Sequence, residues 1–159
     1  MAVSDFNLIT DRTQADVDRY LELKAKGLHG MTVAERAEWE TFLKGAYNYS
    51  DMNRVESAVE YVANRLTEAG YVVYPVVKKN WNKNDKPTLN DLNRYIKNVS
   101  DIRKALTTYE TTPEAPSTER KLSFQAANAI EQIIIDVDDL ISKMVSAYFY
   151  ANDLYCGEV

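Results

Sequence analysis

The sequence predicts a mostly α-helical protein: a five-helix bundle with a long C-terminal helix and one short extended segment near 71–77. Three observations carry this. Between Leu122 and Tyr150, the apolar residues Ala127, Ile130, Ile134, Val137, Ile141, Met144 and Tyr148 step by 3 and 4 in alternation, a heptad seam held for three repeats. Met52, Val55, Val59, Val62, Leu66 and Ala69 repeat that seam. Hydrophobic residues make up 45% of the chain against five Gly and four Pro, enough material for a core and few breaks in it. Residues 1–159 read as one domain, with an N-terminal arm at 1–9, a Pro-containing loop at 110–121 and a tail at 151–159.

In the arm, Phe6, Leu8 and Ile9 are the residues able to pin it to a groove or to a neighbouring subunit. The first helix follows at about Thr13 to Lys26, with Thr13 and Asp16 as a capping pair and Gly27 as its stop. Thr32-Val-Ala-Glu35 is a capping box that opens a second helix, running to about Lys44 and anchored by Trp39, Phe42 and Leu43. The third helix starts at a Ser50 or Asp51 cap and is closed by Gly70. Tyr71-Val-Val-Tyr-Pro-Val-Val77 changes period, and Pro75 forbids a helix interior or a central strand, so this reads as an edge strand or an extended connection. Thr88 caps a fourth helix over about Leu89 to Tyr109. Ser123 caps the last helix, which spans roughly 40 Å at 1.5 Å per residue.

Charge is distributed unevenly. The net charge is −5, yet residues 71–109 carry 8 basic and 3 acidic side chains, and residues 110–159 carry 3 and 9. The expectation is that the basic middle packs beside the acidic last helix. A nucleic-acid patch is the sharper alternative, disfavoured at a pI near 5.0, and no nucleic-acid partner is expected. No apolar run approaches the ~18 residues of a membrane span, and the first ten residues lack the basic and apolar regions of a signal peptide. A soluble protein made in the cytosol is expected, without a membrane partner.

Catalytic and metal-binding patterns are sparse. One Cys, Cys156, and one His, His29, leave no Cys-based zinc site and no multi-histidine site within one chain. No Gly-rich phosphate loop, G-x-S-x-G or H-E-x-x-H is present. Asp136, Asp138 and Asp139 are the densest acidic cluster, but helix geometry splits them across faces. No enzyme activity, cofactor, catalytic residue or metal ligand is therefore assigned. Trp81, in a polar Lys/Asn stretch, either stacks on a sugar or base or plugs a helix junction. With Tyr71 and Tyr74 it forms a candidate ligand platform. Ile133, Ile135, Tyr148, Phe149, Tyr150 and Tyr155 form a candidate interface, since Ile135 falls on the polar side of the last helix and aromatics crowd its exit. Each such side chain contributes about 1.5–3 kcal/mol if fully buried against a partner.

Three blocks resemble a family of small phage and prophage tail or baseplate proteins of Gram-positive bacteria. They are Lys44-Gly-Ala-Tyr-Asn48 with Asp51-Met-Asn-Arg-Val-Glu56 and Gly70-Tyr71; Trp81 through Asp85-Lys-Pro87-Thr88 with Asp91-Leu-Asn-Arg-Tyr-Ile96 and Ile102-Arg103; and Leu122-Ser-Phe-Gln-Ala-Ala-Asn128 with Ile130-Glu131 and Gly157-Glu158-Val159. Ile9-Thr10-Asp11-Arg12-Thr13 fits as well, whereas Ala151-Asn152-Asp153 departs from the Ser-Gly pair expected there. The resemblance implies a non-enzymatic structural or assembly component of a virion tail, acting through helix contacts with other tail proteins and as a homo-oligomer. The alternative is a carbohydrate- or cell-surface-binding adaptor whose exposed Trp and Tyr take a host cell-wall glycan.

Overall fold

The computed structural model describes residues 2–41, 43–117 and 122–152, with side chains described through Tyr148. It contains five α-helices: α1 (Gln14–Gly30), α2 (Val33–Thr41), α3 (Tyr49–Glu68), α4 (Leu89–Lys104) and α5 (Phe124–Asn152), preceded by a 3-10 turn at Val3–Phe6. The mostly helical class and the long last helix match the sequence expectation.

The local signals operate largely where the sequence places them. Thr13, Thr32 and Thr88 each accept the backbone N–H three residues on and are closed in return by Asp16, Glu35 and Asp91. Gly70 adopts φ 91, so Gly70 N–H donates to Thr67 and Tyr71 N–H to Leu66, which caps the last carbonyls of α3. Four boundaries differ. The second helix is described to Thr41, short of Lys44; the chain turns at Lys44 and Gly45. Gly27 kinks α1 at φ 62 without ending it, and one more turn runs to Gly30. The α3 cap is Asn48, one turn ahead of α3's first seam residue; Asp51 is its reciprocal partner and Ser50 N–H its donor. The fourth helix stops at Lys104, not Tyr109, because Arg103 turns to the carbonyls of Thr112 and Pro113 and Tyr109 O–H reaches Asp139 on α5.

The three long helices run parallel. Arg54 meets Glu131 and Arg65 meets Asp138, so α3 and α5 ascend together; Leu92 lies by Leu122, and Tyr109, past the end of α4, by Asp139. Parallel helices need return connections; two of the three grooves between them hold these, and the third holds the N-terminal segment. Residues 2–12 descend between α3 and α5, where Phe6 packs on Tyr61 and Arg12 meets Asp51 and Glu131. Residues 71–81 descend between α3 and α4, and 105–117 between α4 and α5. The 71–77 segment is thus an extended strap, and no β-strand occurs among the described residues. Its Val73 and Val77 pack inward while Val72, Tyr74 and Val76 face out.

Asparagine side chains replace the missing strand partners. Asn98 accepts from Val76 N–H at 3.1 Å and donates to Val76 C=O at 2.8 Å. Asn53 does the same for Trp81, and Asn128 for Arg12. A carboxylate one helical turn further on completes two of these clamps. Glu56 accepts Lys78 N–H at 2.6 Å and Trp81 Nε1–H at 3.0 Å, while Glu131 accepts Ile9 N–H at 2.5 Å and pairs with Arg12 at 2.8 Å. The pattern Asn-x-x-Glu therefore occurs twice, at 53–56 and 128–131, with one job: it grips a strap at two residues three apart.

The apolar interior follows from this arrangement. Val55, Val59, Val62 and Leu66 of α3, Val99 and Ile102 of α4, and Ile130, Ile133, Ile134, Val137 and Ile141 of α5 form the main core. A second, smaller core joins α1 to α2: Leu23, Met31 and Leu43, with Tyr20 stacked on Trp39 at 5.8 Å. The basic fourth helix does lie beside the acidic last helix, as expected, but among the described residues its cations do not pair with α5 carboxylates. Lys79 and Arg94 pair with Glu60 and Glu56 of α3, while the α5 acids Glu131 and Asp138 are met by Arg12, Arg54 and Arg65.

Candidate interaction surfaces

Buried charge in this molecule serves the straps. Arg12, Asp51 and Glu131 are almost fully buried, and Arg54 joins them to make a neutral foursome of two cations and two carboxylates. Breaking one member of such a group strands the others in a medium that cannot solvate them. Above it, the Arg12 guanidinium lies over the Tyr47 ring at 5.2 Å, and the Tyr47 and Tyr95 hydroxyls share a hydrogen bond. Burial pushes both phenols well above their ordinary value, and the nearby Glu131 carboxylate adds to it.

Tyr47, Tyr95 and Arg12 form the floor of a cleft of about 1020 Å³ at the N-terminal ends of α3, α4 and α5. Its far wall is the α1–α2 hairpin, with Tyr20, Leu21 and Trp39; its near wall carries Tyr49, Leu92 and Phe124. The hairpin is held close by the turn at 43–48, where a Cβ on Gly45 would lie 2.0 Å from the Asp16 carbonyl oxygen. At the opposite end, α5 continues past the level at which Arg65 of α3 meets Asp138 and Ser142. Among the described side chains of α5, Ile141 is the last buried one, Val145 is 40% and Tyr148 70% exposed, and the helix continues to Asn152.

Several sequence-selected residues take different places. Trp81 is 4% exposed, plugs the α3–α4 junction and bonds Glu56, with Lys78 Nζ at 3.5 Å above its ring. It offers no face to a ligand, which removes it from the proposed platform; Tyr71 and Tyr74 remain exposed on the strap. Ile133 belongs to the core and not to an interface, because α5 is flanked by both α3 and α4 and its apolar stripe is correspondingly wide. Ile135 is half-buried outside the main core, and Tyr148 is exposed. The backbone of Phe149 and Tyr150 is helical, their side chains lie outside the described residues, and so does all of Tyr155 and Cys156. His29 is exposed in the last turn of α1.

The three α5 aspartates separate as helix geometry requires. Asp136 takes Thr112 and Gln132, Asp138 takes Arg65, and Asp139 takes Tyr109 and Lys143. Among the described residues, no group of three or more His, Cys, Asp or Glu is placed to hold a metal, and no helix is long and apolar enough to cross a membrane. The loop after α4 is held by Arg103, by Thr112 and by the half-buried Ala115. Sequence reading did not single out the buried Arg12–Asp51–Arg54–Glu131 group or the cleft above it. The signal present was the doubled Asn-x-x-Glu spacing, together with Asp-x-Asn-Arg at both 51–54 and 91–94. Compared with known proteins, the chain matches no protein-family model, no curated protein and no solved structure.

Proposed function

We propose that this chain is a non-enzymatic structural or assembly component of a phage or prophage tail, in the baseplate region, acting through helix-mediated contacts with other tail proteins. One observation carries the reading: α5 outruns its own bundle. Beyond Ile141 it continues for about 16 Å at 1.5 Å per residue, with Val145 and Tyr148 turned to solvent. An exposed apolar helix tip of this kind is an unfilled packing surface. The outward stripe Val72, Tyr74 and Val76 on the second strap adds another. The buried charged groups support a structural role as well, since Arg12, Asp51, Glu56 and Glu131 are all engaged in closing straps onto helices. The order of the three sequence blocks supplies the tail context.

The test is the protein inventory of gradient-purified particles from a lysogen that encodes the chain. The chain is expected in those particles by mass spectrometry, in fixed proportion to the tail proteins. Its absence from purified particles that contain a complete tail overturns the proposal.

A further inference from the structure

We propose that the exposed tip of α5 docks into the aromatic cleft of a second copy, so that the protein assembles head to tail. This rests on the structural-assembly reading above and names the partner, the two surfaces and the polarity of the contact.

The two surfaces lie at opposite ends of one rigid element. The cleft opens beside Phe124, the first residue of α5, and Tyr148 sits near its last turn. Twenty-four residues of uninterrupted helix separate them by about 36 Å, so the tip cannot fold back to fill the cleft of its own chain. For this tip, the cleft it can enter is that of another molecule. The tip is compatible with the cleft in chemistry: Met144 to Tyr148 carries no charge and ends on an aromatic ring, and the apolar part of the cleft wall is Tyr20, Leu21, Trp39, Tyr49, Leu92 and Phe124, beside the polar Arg12, Gln14, Glu40 and Gln125. The match extends to size. A cleft of about 1020 Å³ sits at the upper end of small-ligand pockets and has room for the side chains of a helical tip.

Polarity adds a further argument. In an antiparallel bundle, helix dipoles cancel; here α3, α4 and α5 point the same way. The cleft end collects three helix N-termini, with partial positive charge, and the tip presents a helix C-terminus, with partial negative charge. Stacking copies head to tail brings unlike ends together, whereas a two-fold contact through either end brings like ends together. A head-to-tail contact leaves one free tip and one free cleft, so it closes into a ring or grows as a filament.

Two exposed positions test this with little risk to folding: Tyr148→Glu on the tip, 70% exposed, and Leu21→Glu in the cleft wall, 51% exposed. Tyr49→Glu, at the first position of α3, is a second cleft variant and is 45% exposed. Far-UV circular dichroism checks that each retains the helical fold. Sedimentation velocity of the full chain should give a mass that rises with concentration above 18.2 kDa. Each variant alone should associate at least tenfold more weakly. An equimolar mixture of Tyr148→Glu with Leu21→Glu should form a dimer and stop there, because one intact cleft meets one intact tip. A wild-type chain that stays monomeric at every concentration overturns the inference. So does self-association that survives the tip and both cleft variants, or a mixture no larger than its parts. None of these outcomes alters whether the chain is found in purified particles, so the two proposals fail separately.

Discussion

Asn128 and Arg12 share two hydrogen bonds across a separation of 116 residues. The Asn128 Oδ1 accepts Arg12 N–H at 3.1 Å, and its Nδ2 donates to Arg12 C=O at 2.9 Å. An amide is the side chain able to satisfy both backbone groups of an extended residue at once. The first strap depends on this clamp, since it has no strand neighbour to bond.

Replacing Asn128 with Ala should therefore leave both Arg12 backbone groups unpaired. The expected loss is about 1–3 kcal/mol for each group left buried without a partner. Urea unfolding should show a lower midpoint with an unchanged slope. Asn128→Asp should also destabilise, because a carboxylate accepts the N–H but cannot donate to the C=O. A variant as stable as the parent would mean that the clamp contributes nothing.

Glu56 is the heavier test of the second strap. Its carboxylate takes Arg94 through both terminal nitrogens, at 2.6 and 2.8 Å, as well as Trp81 Nε1–H and Lys78 N–H. Glu56→Ala should cost about 3–5 kcal/mol, the range for removing one partner of a buried ion pair. In a Trp39→Phe background, which leaves Trp81 as the emitting tryptophan, emission should shift to longer wavelength as Trp81 gains water. Unchanged emission would contradict the burial of Trp81 by this network.

Gly45 and Gly30 should respond in opposite directions. A Cβ on Gly45 meets the Asp16 carbonyl oxygen at 2.0 Å and Val17 N at 2.6 Å, both backbone atoms that cannot yield without moving α1. Gly45→Ala should destabilise by about 1–3 kcal/mol, the usual range for overpacking. Its hydrogen-exchange signature should concentrate in α1 and α2, whose small core is separate from the main one. Gly30→Ala meets only Lys26 Cβ, at 3.6 Å, and should stabilise by about 0.4–1 kcal/mol. Equal effects at the two sites would exclude the steric account.

The α1–α2 hairpin should loosen in acid. Lys26 first, and the Thr32 backbone N–H next, hold the Glu35 carboxyl down from 4.5 to about 2. A depressed carboxylate stabilises the folded form above its unfolded value, and that contribution is lost as pH falls toward its folded value. The window is thus about pH 4.5 to 2. Carbon-detected NMR titration of Glu35, followed with the amide exchange of α1 and α2, reads both ends of the linkage. Titration of Glu35 near 4.5 in the folded protein would remove the effect.

The helices were legible because their signals are local. Capping at Thr13, Thr32 and Thr88, the stop at Gly70 and the seam of α5 all involve residues within about one or two turns of each other. Trp81 illustrates the limit. Its sequence neighbours are Lys and Asn, which suit an exposed aromatic, while the partners that bury it, Asn53 and Glu56, lie 28 and 25 residues away. Ile133 shows the same limit from the other side: periodicity places it on α5, but whether it faces a core or a partner depends on α3 and α4 both being there.

By itself, the sequence determined where helices begin, which faces are apolar and that the last helix is the longest, since i to i+4 relations set all three. Tertiary structure decided that α3, α4 and α5 run parallel, that extended straps fill the grooves between them, and that Arg12, Asp51, Glu56 and Glu131 are buried. It also decided that the cleft and the free tip of α5 stand at opposite ends. The physical reason is reach. A backbone N–H or C=O in a strap accepts any amide or carboxylate brought within 3 Å, and the choice among them belongs to the packing of residues far apart in the chain.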